Sequence, residues 1–466
     1  MALSRIWSAF FIIAILLAGI RFFFTSNHNE ILTSMVSGKS GDTIEIRKSP
    51  LSLLPEEAVR EIKSTGIYKM GETQMISLAD GRVREFRIQH SDGLIETTQT
   101  AVTLCLRLIG FMALFMGLMG IAEKAGGVRF LSRIIGPFFS RIFPEIPKGH
   151  ESMGHMMMNF SANLLGLDNA ATPFGLKAME SLQEINPDKS RASNPQIMFL
   201  CLHASGLTLI PVSIIALRSA AGASNPMDIF IPCMMATFMA TLAALIIVGT
   251  RQRINMFQPV ILGWLLGISA IIASLVVYIK FLDTDEVRSF SGALSSGLIL
   301  LIFLVIIVGA IYKKIDVFDA FIDGAKGGFD VAVRIIPYLV GMLVAISLLR
   351  TSGAFDIVID AFKYLAAITG GDTRWVDGIP TALIKPFSGG GARGMMVDTM
   401  TTFGPDSFAG KLSCVLQGSS DTTFYVIAVY FGAVSVKNTR YTVGAMLLAD
   451  LVGIISAILL CYLFFG

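Results

Sequence analysis

The chain has 466 residues, of which 53% are hydrophobic and 15% charged, whereas soluble domains carry about a quarter charged residues. That balance excludes an ordinary soluble domain and marks a polytopic membrane protein. The formal net charge of +3 carries no nucleic-acid signal, because in a membrane the placement of Lys and Arg matters more than their sum.

Arg5 and Arg21 bracket an apolar run from Ile6 to Ile20 that Phe22, Phe23 and Phe24 extend. A signal peptide would end in a small-residue cleavage site, and none follows, so residues 1–26 read as a retained transmembrane helix with an aromatic interfacial exit. Residues 27–95 change to a soluble composition. Thr43 to Arg47 and Arg82 to Gln89 alternate as strands do, Pro55 to Ser64 reads as a helix with Pro in its first turn, and Ala79-Asp80-Gly81 reads as a turn. This is a small α+β insert whose basic residues form a solvated face.

Apolar runs long enough to span a bilayer, about 20 residues, follow at Thr98 to Ala122, Gln196 to Leu217, Ile229 to Gly249, Met256 to Ile279, Ser291 to Tyr312, Val331 to Leu349, Leu412 to Val436 and Tyr441 to Phe465. With the first helix they make about nine transmembrane helices. Val128 to Phe143 and Ala354 to Ile368 are apolar on one side only and suit interfacial helices. Cys105, Cys201, Cys233, Cys414 and Cys461 all fall in apolar runs without ligand-like spacing, which excludes a disulfide framework and a zinc site.

Met156 to Lys177, MMMNFSANLLGLDNAATPFGLK, interrupts this pattern with Asn159, Ser161, Asn163, Gly166, Asp168, Asn169, Thr172 and Pro173. Such residues favour caps and turns, so two short helices meeting near Gly166 to Asn169 are expected. Irregular backbone at membrane depth persists only where protein or a wet cavity covers it, which makes the segment a binding-site candidate. Read as a re-entrant hairpin, it leaves Lys124 to Lys148, Arg251/Arg253, Lys313/Lys314/Lys326 and Lys437/Arg440 on one side and Asp283, Asp285 and Glu286 on the other. The positive-inside rule then places the N-terminus in the cytoplasm and the insert outside it.

The second half repeats this plan in inverted orientation. An interfacial helix precedes PFSGGGARGMMVDTMT (Pro386 to Thr401), as another precedes the first hairpin, and LCLHASGLTLIP (Leu200 to Pro211) aligns with CVLQGSSDTTFY (Cys414 to Tyr425). At constant spacing His203 falls on Gln417, Ser205 on Ser419 and Thr208 on Thr422. Residues 96–255 and 256–466 are thus expected to be two inverted repeats, as in secondary transporters with a site between discontinuous helices.

Four pieces are expected to converge on a substrate site: Asn159, Ser161, Asn163, Asp168, Asn169 and Thr172; His203, Ser205 and Thr208; Ser388, Gly389, Gly390, Gly391, Arg393 and Asp398; and Gln417, Ser419, Ser420, Asp421, Thr422 and Thr423. The glycines offer N–H groups to an anion. Asp421, costly inside a span, wants a partner, with Arg393 and Lys385 nearest in sequence terms, or a coupling ion, Na+ or H+. Taken singly, each Ser or Thr reads as helix–helix glue and Asp450 and Arg107 as scaffold pairs, while His203 reads equally as a satisfied buried histidine. No catalytic motif, Walker loop or zinc-ligand pair occurs, so no enzyme, metal or other cofactor is expected.

At these residues the chain resembles the spore maturation protein family. IAEKAG, RIFPEIPKGH, MGHMMMNFSANLLGLDNAATPFGLKAME and LTLIPVSIIALR are similar to spore maturation protein A. FDAFIDGAKGGFDVAVRIIPYLVGMLVAI, GARGMMVDTMTTFGPDS and VLQGSSDTTFYVIAVYFGAV are similar to spore maturation protein B. Only the insert lies outside the resemblance. It implies a nucleoside-recognition or gate domain similar to parts of concentrative nucleoside transporters and of ferrous iron transporter B, a link to spore-core dehydration, and two hairpins with two partly unwound spans around one site. The expected function is an inner-membrane permease for a small polar solute, nucleoside-like or a small anion, embedded in the lipid bilayer as a monomer or homo-oligomer. The alternatives are a non-transporting envelope factor acting through the insert, and a lipid flippase.

Overall fold

The computed structural model describes residues 2–24, 28–37, 39–50, 59–62, 67–70, 73–77, 82–91, 93–165, 168–206, 208, 210–282, 284–368 and 372–466. Helices α1 (Ala2–Phe24) and α2 (His28–Ser37) precede strands β1 (Lys39–Pro50), β2 (Ile67–Met70), β3 (Thr73–Ser77) and β4 (Arg82–Ser91). The strands lie in the order β1-β4-β3-β2, with β1 antiparallel to β4 so that Thr43 faces Ile88. Residues 59–62 are helical; the rest of the expected helix from Pro55 to Ser64 and the turn at 79–81 lie outside the described residues.

The remainder is helical. Helix α3 (Leu94–Lys124) leads into α4 (Gly127–Ile142), then the paired limbs α5 (Glu151–Leu164) and α6 (Asp168–Glu184), the short α7 (Asn194–Ala204) and α8 (Val212–Ala220), and the long α9 (Phe230–Arg251). Helices α10 (Pro259–Ile279) and α11 (Thr284–Tyr312) connect the halves. The plan then recurs as α12 (Val317–Thr351), α13 (Ala354–Ile368), a 3-10 turn (Arg374–Gly378) running into α14 (Ile379–Ile384), α15 (Gly389–Phe403), α16 (Phe408–Gly418), α17 (Thr423–Ala433) and α18 (Thr442–Phe465).

Helices α3 and α12 form the most extensive helix pair. A Cβ on Gly120 would stand 2.9 Å from the Gly324 Cα, and one on Gly328 would stand 2.7 Å from the Met112 carbonyl. Position rises on one helix as it falls on the other, so the two run antiparallel with backbones in contact, as small residues permit. Lys124 closes one end of the crossing on Asp323 at 2.6 Å. The second equivalent pair behaves alike: Gln252, just past α9, donates to the Tyr441 hydroxyl at 3.0 Å, while Ala240 packs against Gly453. Because backbone rather than a movable side chain blocks Gly328, Gly328→Leu is expected to cost about 3 kcal/mol or more. Gly263→Leu, whose Cβ meets nothing within 4 Å, serves as the control. A thermal melt of the purified protein in nanodiscs separates them: Gly328→Leu falls well below wild type and Gly263→Leu stays close to it.

Six helices among the described residues are long and apolar enough to cross a membrane: α3, α9, α10, α12, α18 and Ser289–Tyr312 within α11. The three other expected spans differ for identifiable reasons. The apolar part of α1 is only Trp7–Phe23. The run Gln196 to Leu217 breaks between α7 and α8, where Gly206 adopts φ 64° and Pro211 ends the irregular stretch. The run Leu412 to Val436 breaks at Ser419 to Thr422. All five cysteines are buried and unpaired.

Candidate functional site

Helix α7 begins with a capping box, in which Ser193 accepts the Gln196 N–H and Gln196 reaches back to the Ser193 N–H. All its residues from Pro195 to Ala204 are buried. It ends at Ser205, whose hydroxyl donates to the Leu202 carbonyl at 2.7 Å and lies 2.9 Å from the Thr241 hydroxyl. Ser419, its counterpart after α16, donates to the Leu416 carbonyl at 2.8 Å. The two breaks therefore stop by the same device, and they touch. The Asp421 N–H donates to the Ala204 carbonyl at 2.7 Å, and a Cβ on Gly206 would lie 3.3 Å from the Asp421 nitrogen.

A half-helix ending inside the protein leaves its last carbonyls without N–H partners. Lys385, at the tip between α14 and α15, supplies them: its ammonium donates to the Leu416 and Gln417 carbonyls at 2.6 and 2.7 Å. The same tip accepts the Phe424 N–H on the Pro386 carbonyl at 2.9 Å, which ties the hairpin to the start of α17. Ser388 caps α15 by accepting the Gly391 N–H at 2.9 Å. Gly389 lies so close to Thr422 that a Cβ there would stand 2.7 Å from its hydroxyl.

On the other wall, His203 Nδ1 lies 3.0 Å from both Asn159 Oδ1 and Asn163 Nδ2, and the Asn159 amide donates to the Ala171 carbonyl at 2.6 Å. Asn159 thereby clamps α5, α6 and α7 together. The Tyr430 ring packs edge-on against the imidazole with centroids 4.9 Å apart. His203 Nε2 faces Asp421 Oδ2 at 4.0 Å, and the other Asp421 oxygen accepts the Thr422 N–H at 2.7 Å.

Between these walls lies a cavity of about 580 Å³. Of the residues expected at the site, Asn163, Thr172, His203, Thr208, Ser388, Gly389, Gly390, Arg393, Gln417, Ser420, Asp421 and Thr422 line it. Asn159 is fully buried behind His203. Ser161 instead meets Ser132 of α4 at 3.0 Å, Ser205 and Ser419 hold the helix ends, Gly391 is packed against Ile384 and Met342, and Thr423 bonds the buried Asp450. The side chains of Asp168 and Asn169, with Gly166 and Leu167, lie outside the described residues. Asp398 is held by Arg350 on α12, with Nε 2.9 and 2.8 Å from its two oxygens. Arg107 donates to the Ala220 carbonyl at 3.3 Å.

The expected partners of Asp421 are corrected accordingly: Lys385 caps carbonyls, and His203 is the group that faces the carboxylate. Arg393 lines the cavity without a hydrogen-bond or ion-pair partner among the described residues. Phe387 and Tyr425 also line it, and sequence reasoning missed both, because aromatic residues in apolar runs carry no signal of their own. Among the described residues no cluster of three or more His, Cys, Asp or Glu could hold a metal ion.

The family model for nucleoside recognition, named Gate, matches residues 105–248 and 332–437. Spore maturation protein B of Bacillus subtilis (strain 168) is 44% identical over 173 residues, which cover 37% of this chain and 96% of the relative. Spore maturation protein A of the same organism is 40% identical over 157 residues, covering 34% of this chain and 80% of the relative. No solved structure matches the chain significantly. The two matched blocks fall on the two halves whose broken helices meet at the cavity and together take in more than half of the residues; the chain is a multi-pass membrane protein that belongs to the nucleoside-recognition Gate family.

Proposed function

We propose that the chain is an inner-membrane secondary transporter for a small polar solute, nucleoside-like or a small anion, with Na+ or H+ as the coupling ion. The observation that carries this reading is the contact of the two helix breaks, Asp421 N–H on the Ala204 carbonyl at 2.7 Å, beside a polar-walled cavity. Discontinuous helices from two antiparallel halves flanking one site support alternating access. In this reading α5/α6 and α14/α15 are re-entrant hairpins entering from opposite faces. Helix α1 and the two broken helices complete nine crossings. Residues 27–95 form an α+β insert outside the cytoplasm, the N-terminus is cytoplasmic, and the cavity performs no catalysis.

The test is stabilisation of the purified chain by uridine, adenine or inorganic phosphate, with and without sodium and at low pH. At least one of these raises the melting temperature of the wild type, and Asp421→Asn loses that response. If none does so and Asp421→Asn leaves flux in proteoliposomes unchanged, the proposal fails. The names of the two relatives favour a second reading, a non-transporting envelope factor acting through the insert. Deleting residues 27–93 separates the two: the transporter keeps its solute flux, whereas the envelope factor loses all phenotype.

A further inference from the structure

Resting on that transport reading, we infer that the coupling ion is H+ and that it is held between His203 Nε2 and Asp421 Oδ2, one group from each half of the molecule. The Asn159 amide nitrogen is committed to the Ala171 carbonyl at 2.6 Å, so its oxygen is left to accept, and it stands 3.0 Å from His203 Nδ1. Nδ1 therefore carries the proton of the neutral ring. Asn163 Nδ2 stands 3.0 Å from the same nitrogen and 3.4 Å from Asn159 Oδ1; a half-turn of this amide gives up the longer contact and presents its oxygen to the Nδ1 N–H. The lone pair of Nε2 is then directed to a carboxylate oxygen 4.0 Å away. Two acceptors face each other across that gap.

A proton on Nε2 turns this opposition into an ion pair, and its departure restores the repulsion. The pair joins α7 to the break before α17, so its charge state acts on the junction where the two halves meet. His203 is buried while the Asp421 side chain is 47% exposed. The proton therefore reaches Nε2 from water in the cavity, past Asp421, and leaves by the same oxygen when the cavity faces the other side.

The groups around the imidazole leave this role to one carboxylate. Hairpin one presents the amides of Asn159 and Asn163, α7 presents Phe199, α17 presents Tyr430, and the second break presents Asp421. The remaining charges are committed elsewhere or stand apart. Lys385 is bonded to the α16 carbonyls and Asp450 on α18 to Thr423, while Arg393 lines the cavity.

The test uses the full chain in lipid nanodiscs with 15N-labelled histidine. The sequence has five histidines, and His203→Gln identifies the signal of interest. At pH 6.0 the wild-type signal contains imidazolium, and that population falls at least fivefold in Asp421→Asn and in Asp421→Ser. Absence of imidazolium between pH 5 and 8, or an equal population in the Asp421 variants, overturns the inference. A second arm follows uridine, adenine and inorganic phosphate in proteoliposomes. Uptake driven by a pH step supports the proton, whereas uptake driven by a sodium gradient alone overturns it and leaves transport standing. If the imidazolium behaves as stated and no probe moves under either gradient, the proton site stands and the transport reading falls.

Discussion

Replacing Lys385 with Met is expected to lower the unfolding free energy by about 3 kcal/mol, because the Gln417 carbonyl is left unsatisfied and the Leu416 carbonyl loses its charged donor. The ammonium is almost wholly buried and donates to the Leu416 and Gln417 carbonyls, with Ser419 Oγ at 3.4 Å. Met fills a similar volume, so the loss reports the bonds and not a cavity. The Leu416 carbonyl keeps the Ser419 hydroxyl at 2.8 Å as a second donor, so the effect falls mainly on Gln417. Thermal or denaturant unfolding in nanodiscs provides the number. A Lys385→Arg variant, still charged but larger, is expected to recover only part of the stability. An unchanged melting temperature for Lys385→Met would mean that water reaches these carbonyls and that the break is open.

Arg218→Met is expected to have a comparable effect, about 3–5 kcal/mol, because removing one partner of a buried ion network leaves the others uncompensated. Arg218 closes α8 and is fully buried. It donates to Asp228 at 2.9 Å, to Asp406 at 3.2 Å and to the Pro405 carbonyl at 2.5 Å, while Lys411 holds the other oxygen of Asp228 at 2.7 Å. The network ties the α8–α9 loop of one half to the α15–α16 loop of the other. Its counterpart joins the α6–α7 and α17–α18 loops through backbone carbonyls: Ala192 N–H to the Asn438 carbonyl at 2.9 Å, Lys437 N–H to the Ser190 carbonyl at 2.9 Å, and the Arg440 guanidinium to the Ala192 carbonyl at 3.1 Å. In that loop the Ser190 hydroxyl and N–H on Asp188 hold its carboxyl below the usual range. A double-mutant cycle of Arg218→Met with Asp406→Asn, read as stability, measures the cross-half coupling. A coupling near zero would show that the Asp406 carboxylate contributes nothing to the hold on the guanidinium.

The parts of the architecture that follow from local chemistry were legible in the sequence. Gly, Asp and Asn after Leu165 mark the end of α5, because they prefer caps and turns to helix interior, whereas Gln196 to Leu217 and Leu412 to Val436 read as continuous spans by composition and as partly unwound only through the family resemblance. What the sequence hides is which charges meet. Repeat alignment places His203 opposite Gln417, but alignment identifies equivalent positions and not neighbours. In space His203 faces Asp421, because the two breaks cross offset from one another. Lys385 and Asp421 are close enough in the plan to suggest a pair, yet the carbonyl ends of a half-helix compete for the ammonium and win. Helix α14 was also missed, since Ile379 to Ile384 is only a turn and a half of helix, too short to leave a periodic signal. Counting spans by hydropathy gives nine, whereas helix length gives six among the described residues, and the difference is α1 and the two helices that break.

The central claim is that the tip of hairpin two and the second helix break form the two sides of one solute cavity. A disulfide between Gly389→Cys and Thr422→Cys tests it most directly. The Cβ built on Gly389 lies 4.0 Å from that of Thr422, within the roughly 3.5–4.5 Å that a disulfide spans. Under mild oxidant the double variant is expected to cross-link, to lose flux of any solute the wild type moves, and to regain it on reduction. Two cysteines that stay free, or a cross-linked protein that still transports, would contradict the account.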